Sequence, residues 1–342
     1  MEFFILSSGD ELRSLPPGNM TRLSFPLSGN IPATAGHRFT EEPVNRSART
    51  NPILMDESIW DGLQECNDLD KNDIGTVTGI HNRQEISYIS PVIKDPCSDS
   101  KASIWVVGDS TLALFHDEWP IPRVGYGTQL ENYFNAEVFN LAHSGASSRD
   151  FITLPEYRIL LEGSSDVPPL GHSDGKCFLL IGFGHNDEKP DARFTDANGD
   201  ISTPGSFANS LYVSYIRPSL ERNVIPVLCT PIARLSEDNR PEGYSGRCGH
   251  ITPDGGNYPK AILDLAASMN LEFVDMTSAT MKMYIELGTG AEKLFANDGR
   301  LDRTHTNLNG ASINAWLVSA LSKETAPSLY RWSKKEAKPV VI

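Results

Sequence analysis

From residue 103 onward the chain alternates short apolar runs with longer stretches of mixed polarity. Residues 104–107, 138–141, 178–181, 224–229 and 271–274 are runs of four to six residues without in-out alternation. That pattern predicts strands covered on both faces, as in a parallel sheet. Helical spacing fills the gaps. Residues 127–134 carry Leu130 and Phe134 at i,i+4, and residues 206–223 carry Phe207, Leu211, Tyr215 and Leu220. Pro218 either kinks that second helix or starts a new segment within it. Residues 258–269 place Ile262, Leu265, Ala266 and Met269 on one face, and residues 309–322 place Ile313, Leu317, Ala320 and Leu321 likewise. Regular alternation of strand and helix predicts right-handed crossovers and a doubly wound α/β sheet. In such sheets ligands bind beyond the carboxyl ends of the strands.

The first hundred residues break the pattern. They are rich in Asn, Ser, Pro and Gly, and their 8 Lys+Arg against 15 Asp+Glu leave a net −7, half of the chain's −14. Only scattered apolar runs occur, at residues 2–6 and 86–93. Residues 1–100 therefore read as a small β-rich or irregular extension of unknown role, with a junction at 95–102. Residues 101–332 form the main domain and residues 333–342 a C-terminal tail.

Four polar loops follow apolar runs in the main domain. The first is Gly108-Asp109-Ser110-Thr111. Gly108 lets the chain turn sharply as it leaves the strand, and Asp109 can brace the loop through backbone hydrogen bonds. Alone, this segment fits an ordinary strand-to-helix turn with Ser110 as the helix cap. The second and third loops, 140–145 and 182–187, supply Gly145, whose N–H a ligand can approach closely, and Asn186, whose amide is a donor. With the Ser110 N–H these would make a three-donor oxyanion hole, each donor worth ~3 kcal/mol in a transition state. The fourth loop holds Asp302 and His305. A three-residue spacing lets the Asp302 carboxylate accept the Nδ1–H of His305, which leaves Nε2 free to take the Ser110 proton.

These blocks resemble the SGNH/GDSL hydrolases, whose invariant Ser, Gly, Asn and His correspond to Ser110, Gly145, Asn186 and His305. The similarity is closer to the rhamnogalacturonan acetylesterase-like branch. Thr111 follows the serine there, Asn140, Ala142, Gly145, Ser147 and Arg149 match its second block, residues 183–187 read Phe-Gly-His-Asn-Asp, and residues 302–305 read Asp-x-Thr-His. Thr230-Pro231 with Arg234 is similar to its fourth-strand exit. The resemblance spans residues 103–332 and leaves the N-terminal hundred outside. It implies a flavodoxin-like three-layer α/β/α fold with a central parallel five-stranded sheet. It further implies deacetylation of plant cell-wall pectin fragments by a Ser110-His305-Asp302 triad, with no metal or cofactor. Two other readings stay open: an acetylesterase of xylan, another sugar or small acyl esters, and a non-catalytic carbohydrate-binding relative.

Further residues have double readings. Arg149 can meet a galacturonate carboxylate or brace its own loop. His185 and Arg234 can touch substrate or serve structure, and Trp119 can line the cleft. Asp187 is expected to stabilise its own loop, and Trp105 and Trp316 to sit in the core.

The partner that the resemblance implies is an acetylated oligosaccharide, and composition bears on what else is excluded. A net charge of −14 over 342 residues argues against nucleic acid or an anionic membrane surface. No run approaches the roughly 20 apolar residues of a membrane span. Residues 3–6 are too short for a signal-peptide core and no basic residue precedes them, so the chain is expected to be cytoplasmic unless a leader was removed. Cys66, Cys97, Cys177, Cys229 and Cys248 have no metal spacing, and free thiols suit a reducing compartment. Oligomeric state is not legible.

Overall fold

A computed structural model describes residues 101–335 in full. Before them it describes only the backbone of two short antiparallel strand pairs, Phe4–Leu6 with Leu12–Ser14 and Ile74–Val77 with Ile86–Ile89. The role expected for residues 1–100 and most of the tail at 333–342 lie outside the described residues. Among the described residues, no helix is long and apolar enough to cross a membrane.

All five expected strands form. They are β1 (Ala102–Gly108), β2 (Glu137–Asn140), β3 (Lys176–Gly182), β4 (Ile225–Cys229) and β5 (Glu272–Val274). They pair in parallel throughout, in the order β2-β1-β3-β4-β5. Successive side chains of β1 enter opposite layers. Ile104 and Val106 pack with α5 (Met276–Leu287) and α6 (Leu308–Thr325). Trp105 and Val107 pack with α1 (Pro155–Glu162) and α4 (Tyr258–Met269). Residues 101–335 thus form the expected three-layer α/β/α domain with a five-stranded parallel core. Trp105 is fully buried and Trp316 packs half-buried against the core. Cys177 and Cys229 are buried free thiols.

Three expectations change in detail. The turn at residues 126–132 is a 3-10 helix, Tyr126–Asn132, because one i,i+4 apolar pair does not fix the helix type. The segment with Pro218 runs as α2 (Phe207–Leu211), a π-helical turn (Tyr212–Ile216) and α3 (Arg217–Glu221). Pro218 has no N–H for the carbonyl of Ser214, and the Tyr157 hydroxyl donates to that carbonyl instead at 3.0 Å. Finally, residues 302–305 belong to a strand, not a free loop. β6 (Phe295–Asn297) and β7 (Leu301–Thr306) form a hairpin in which Phe295 faces Thr306 and Asn297 faces Leu301. Asp302 to His305 therefore bulge out opposite Ala296 alone.

The sheet order reverses between β1 and β3, so the crevice at that switch point opens between the loops that follow them. Gly108 and Gly182 end these strands side by side in register. A Cβ at Gly108 would stand 2.5 Å from the Gly182 carbonyl oxygen. Close strand approach, and not a sharp turn, is the reason for glycine here. Beyond the strands, the second and third loops are clamped by Asp187. Its carboxylate accepts from the Ser148 N–H at 3.1 Å, the Ser148 hydroxyl at 2.6 Å and the Thr195 hydroxyl at 3.0 Å. Asp187 therefore braces the neighbouring loop as well as its own. Burial pushes its carboxyl up to about 7, against these hydrogen bonds, which pull it down.

Two outcomes follow from this packing. Gly108→Ala should overpack β1 against β3 and cost about 1–3 kcal/mol, read from the urea unfolding midpoint. For Asp187, the folded protein holds the proton more tightly than the unfolded chain does. That contribution to stability is fully present below the ordinary 3.8 and is lost as pH rises through about 7. Asp187→Asn cannot ionise and removes this slope. Between about pH 5 and about pH 8 the variant's unfolding free energy should improve relative to that of the wild type; parallel pH profiles would contradict the assignment.

Candidate active site

Ser110 lies in a tight turn directly after β1 and is 7% exposed. No α-helix follows it, so the helix-cap reading of this serine has no helix to cap. The turn is held by Asp109, whose Oδ1 accepts the Thr111 N–H at 2.9 Å and the Thr111 hydroxyl at 2.8 Å. Asp109 is fully buried and its second oxygen has no partner among the described residues. Burial raises its carboxyl above the ordinary value, and the Thr111 bonds act the other way.

The β6–β7 hairpin brings residue 305 to this turn. His305 Nε2 stands 2.9 Å from Ser110 Oγ, and His305 Nδ1 stands 2.7 Å from Asp302 Oδ2. Asp302 Oδ1 accepts the Thr304 N–H at 2.8 Å and the His305 N–H at 3.0 Å. Burial raises the Asp302 carboxyl, but the bonds and charge of His305 outweigh it and hold it below 3.8. An imidazole donating from Nδ1 to that carboxylate presents a lone pair at Nε2 to the serine hydroxyl.

The other two loops are stitched to the same edge. The His143 N–H donates to the Gly108 carbonyl at 3.0 Å and the Asp109 N–H to the Gly182 carbonyl at 3.2 Å. Gly145 has φ +86°, a left-handed conformation that a side chain would strain. Asn186 is buried, and its Nδ2 donates to the Ala146 carbonyl at 2.8 Å. Among the described residues, neither the Ser110 nor the Gly145 amide N–H donates to a protein acceptor.

The residues with double readings separate. Arg149 is exposed and donates to the Phe194 carbonyl at 3.3 Å. His185 is 2% exposed, its ring meets His250 at 4.3 Å between centroids, and neither ring nitrogen has a hydrogen-bond partner among the described residues. Burial lowers its basicity well below the ordinary 6.5, with the charges of His250 and Arg234 adding to this. Arg234 is buried in an ion pair with Glu188 at 2.6 Å and donates to the His185 carbonyl at 3.2 Å. Arg234 thus serves the floor beneath the loops through its guanidinium Nη atoms, and the His185 ring is buried beside it against His250. Trp119 is half-buried on the rim. The Arg123 guanidinium lies 4.3 Å from its ring centroid and 4.3 Å from that of Phe115, whose ring in turn meets His305.

Sequence spacing did not single out Phe115, Arg123, Lys189 or Arg193. Arg123 pairs with Asp117 and Arg193 with Asp191. Lys189 Nζ lies 2.6 Å from Asn186 Oδ1. A polar residue three positions after Asn186 carries no signature that would have marked it.

No family model matches the chain. The probable rhamnogalacturonan acetylesterase YesY of Bacillus subtilis (strain 168) is 26% identical over 230 residues, covering 65% of this chain and 92% of that protein. The rhamnogalacturonan acetylesterase RhgT of the same organism is 27% identical over 229 residues, covering 63% and 87%. Among solved structures, protein YXIM from Bacillus subtilis superposes with a TM-score of 0.50 at 18% identity. That match covers 68% of this chain and 58% of the other, and it supports the fold alone. Taken with the four motif segments and the sheet order, these relationships support a carboxylic ester hydrolase, and the chain is similar to the rhamnogalacturonan acetylesterase-like branch of the SGNH/GDSL hydrolases.

Proposed function

We propose that the protein removes O-acetyl groups from carbohydrate, with acetylated rhamnogalacturonan oligosaccharides as its preferred substrates. The observation that carries the chemistry is the 2.9 Å contact between Ser110 Oγ and His305 Nε2, two groups 195 residues apart in sequence. The substrate class rests on the two Bacillus relatives. In this reading Ser110 Oγ attacks the acetyl carbonyl carbon while His305 Nε2 takes the hydroxyl proton, and Asp302 steadies the resulting imidazolium. Negative charge gathers on the acyl oxygen, toward which the Ser110 and Gly145 N–H groups and the Asn186 amide donate. Collapse breaks the ester C–O bond, and the proton held by His305 goes to the departing sugar oxygen. Water then gives a proton to His305 and its oxygen to the acetyl-enzyme. Acetate leaves and the proton returns to Ser110.

Arg149 is the candidate for a substrate carboxylate and Trp119 for a sugar face. His185 and Arg234 are assigned structural roles. An intact nucleophile and base argue against a non-catalytic binding protein, which needs neither.

Acetate release from acetylated rhamnogalacturonan oligosaccharides should fall by about 10³-fold or more in Ser110→Ala. Undiminished turnover in that variant would refute the nucleophile assignment. Asp302→Asn keeps the shape of the side chain but favours the wrong imidazole tautomer, so kcat should drop by roughly 10³–10⁴ with the fold intact by circular dichroism. In a panel of acetylated oligosaccharides, faster turnover of xylan fragments would replace the pectin assignment with the xylan one.

A further inference from the structure

Asn186 is held by two partners of opposite kind. Its Nδ2 donates to the Ala146 carbonyl at 2.8 Å, and its Oδ1 accepts from Lys189 Nζ at 2.6 Å. Both bonds agree on which end of the amide is which, so its orientation is fixed by the network. They leave one N–H of Nδ2 without a protein acceptor among the described residues. The neighbouring cations behave differently: Arg193 is neutralised by Asp191, Arg123 by Asp117 and Arg234 by Glu188. Lys189 makes no ion pair among the described residues. Its half-buried ammonium rests on a neutral amide oxygen.

That placement is costly. Burial, followed by the charges of Arg193 and Arg234, lowers the basicity of Lys189 below the ordinary 10.5, and Asp109 and Asp191 offset only part of this. A cation on a carbonyl oxygen draws electron density from the amide nitrogen and strengthens the N–H donors on the far side. In an amide aimed at developing negative charge, this gain appears in the transition state more than in the bound ester.

We propose that Lys189 is a positioning residue for the Asn186 donor: its ammonium fixes the orientation of that amide and polarises it toward the charge that develops on the acyl oxygen. The inference rests on the oxyanion role proposed above for Asn186. It differs from a substrate-binding role for Lys189, which would appear in KM.

A double-mutant cycle on the full chain, with a small aryl acetate as substrate, tests it. Lys189→Met keeps the apolar stem and removes the charge. It should lower kcat by roughly 10-fold or more while leaving KM within about twofold. Asn186→Ala should lower kcat by about 10²–10³-fold. In the Asn186→Ala background, Lys189→Met should cost less than about twofold further, since the group through which it acts is gone. Equal losses in both backgrounds, a loss confined to KM, or an unchanged kcat would each overturn the proposal. An Asn186→Ala variant with wild-type kcat would instead sink the oxyanion reading itself, and this inference with it. If Lys189→Met fails to fold by circular dichroism, Lys189→Gln carries the same cycle, because it retains a donor to Asn186 Oδ1 without the charge.

Discussion

An irregular segment beyond the edge of a parallel sheet has no neighbouring strand to satisfy its backbone, and an unpaired buried peptide group is expensive. The chain after Ser110 meets this constraint against the hairpin that carries His305. Ile121 and Asn297 exchange both backbone hydrogen bonds, at 3.1 and 2.9 Å. The Val124 N–H donates to the Thr306 carbonyl at 2.8 Å, and the Thr306 hydroxyl donates back to the Val124 carbonyl at 3.0 Å. From the other side, the Leu235 N–H donates to the Arg303 carbonyl at 2.8 Å. Asn307 then caps α6 through the N–H groups of Asn309 and Gly310. The bulge at residues 302–305 is thus gripped along both flanks. The position of the imidazole follows from backbone pairing, with side-chain attraction to Ser110 a lesser contribution.

Charge beneath the site is arranged to be self-contained. Glu188 bridges Arg234 at 2.6 Å and His250 at 3.2 Å, all three well buried. Burial raises the Glu188 carboxyl, but its hydrogen bonds and electrostatic contacts with His250 and Arg234 outweigh that and hold it below the ordinary value. Removing one member of such a group strands the others, which makes the cluster structurally exacting even where its net contribution to stability is small. Its geometric effect is local. Arg234 holds the carbonyl of His185, the residue before Asn186. Asp187, the residue after, is pinned through Ser148 to the Gly145 loop. The Asn186 backbone is therefore fixed on both sides before its side chain makes any bond.

Much of this was legible in the sequence. Strands covered on both faces are uninterrupted apolar runs, and all five were visible as such. The first three site motifs were legible because each loop leaves a strand of the parallel sheet at the same edge. Helices α1 and α5 were not assigned. In α5 the buried positions include Thr277 and Thr280 between Met276, Ala279 and Met283, so the polar residues blur an otherwise helical stripe. The strand character of residues 301–306 was hidden because four of its polar residues bulge out of the pairing. His185 and Arg234 lie in loops that look solvated by composition, and only tertiary packing reveals that they are buried. Tertiary proximity also brought out Lys189, since the ammonium meets Asn186 by loop geometry and not by helical or strand periodicity.

Net charge misleads about such a site. A chain at −14 should repel a polyuronide, yet the loops around Ser110 carry Arg123, Arg149, Lys189 and Arg193. Coulomb attraction falls with distance and is screened beyond about 10 Å, so what a bound sugar feels is this local set. Two of the four are already spent on aspartates. Arg149 is exposed and bonded to a backbone carbonyl, which leaves it able to meet a carboxylate from solvent. Lys189 is turned inward onto an amide. On the proposed reading the two of these cations that make no ion pair among the described residues divide the work, the outer one facing substrate charge present from the start and the inner one facing charge that exists only during the reaction. That division suits an enzyme that must release an anionic product, because strong ground-state attraction at the acyl site would hold acetate as well as ester.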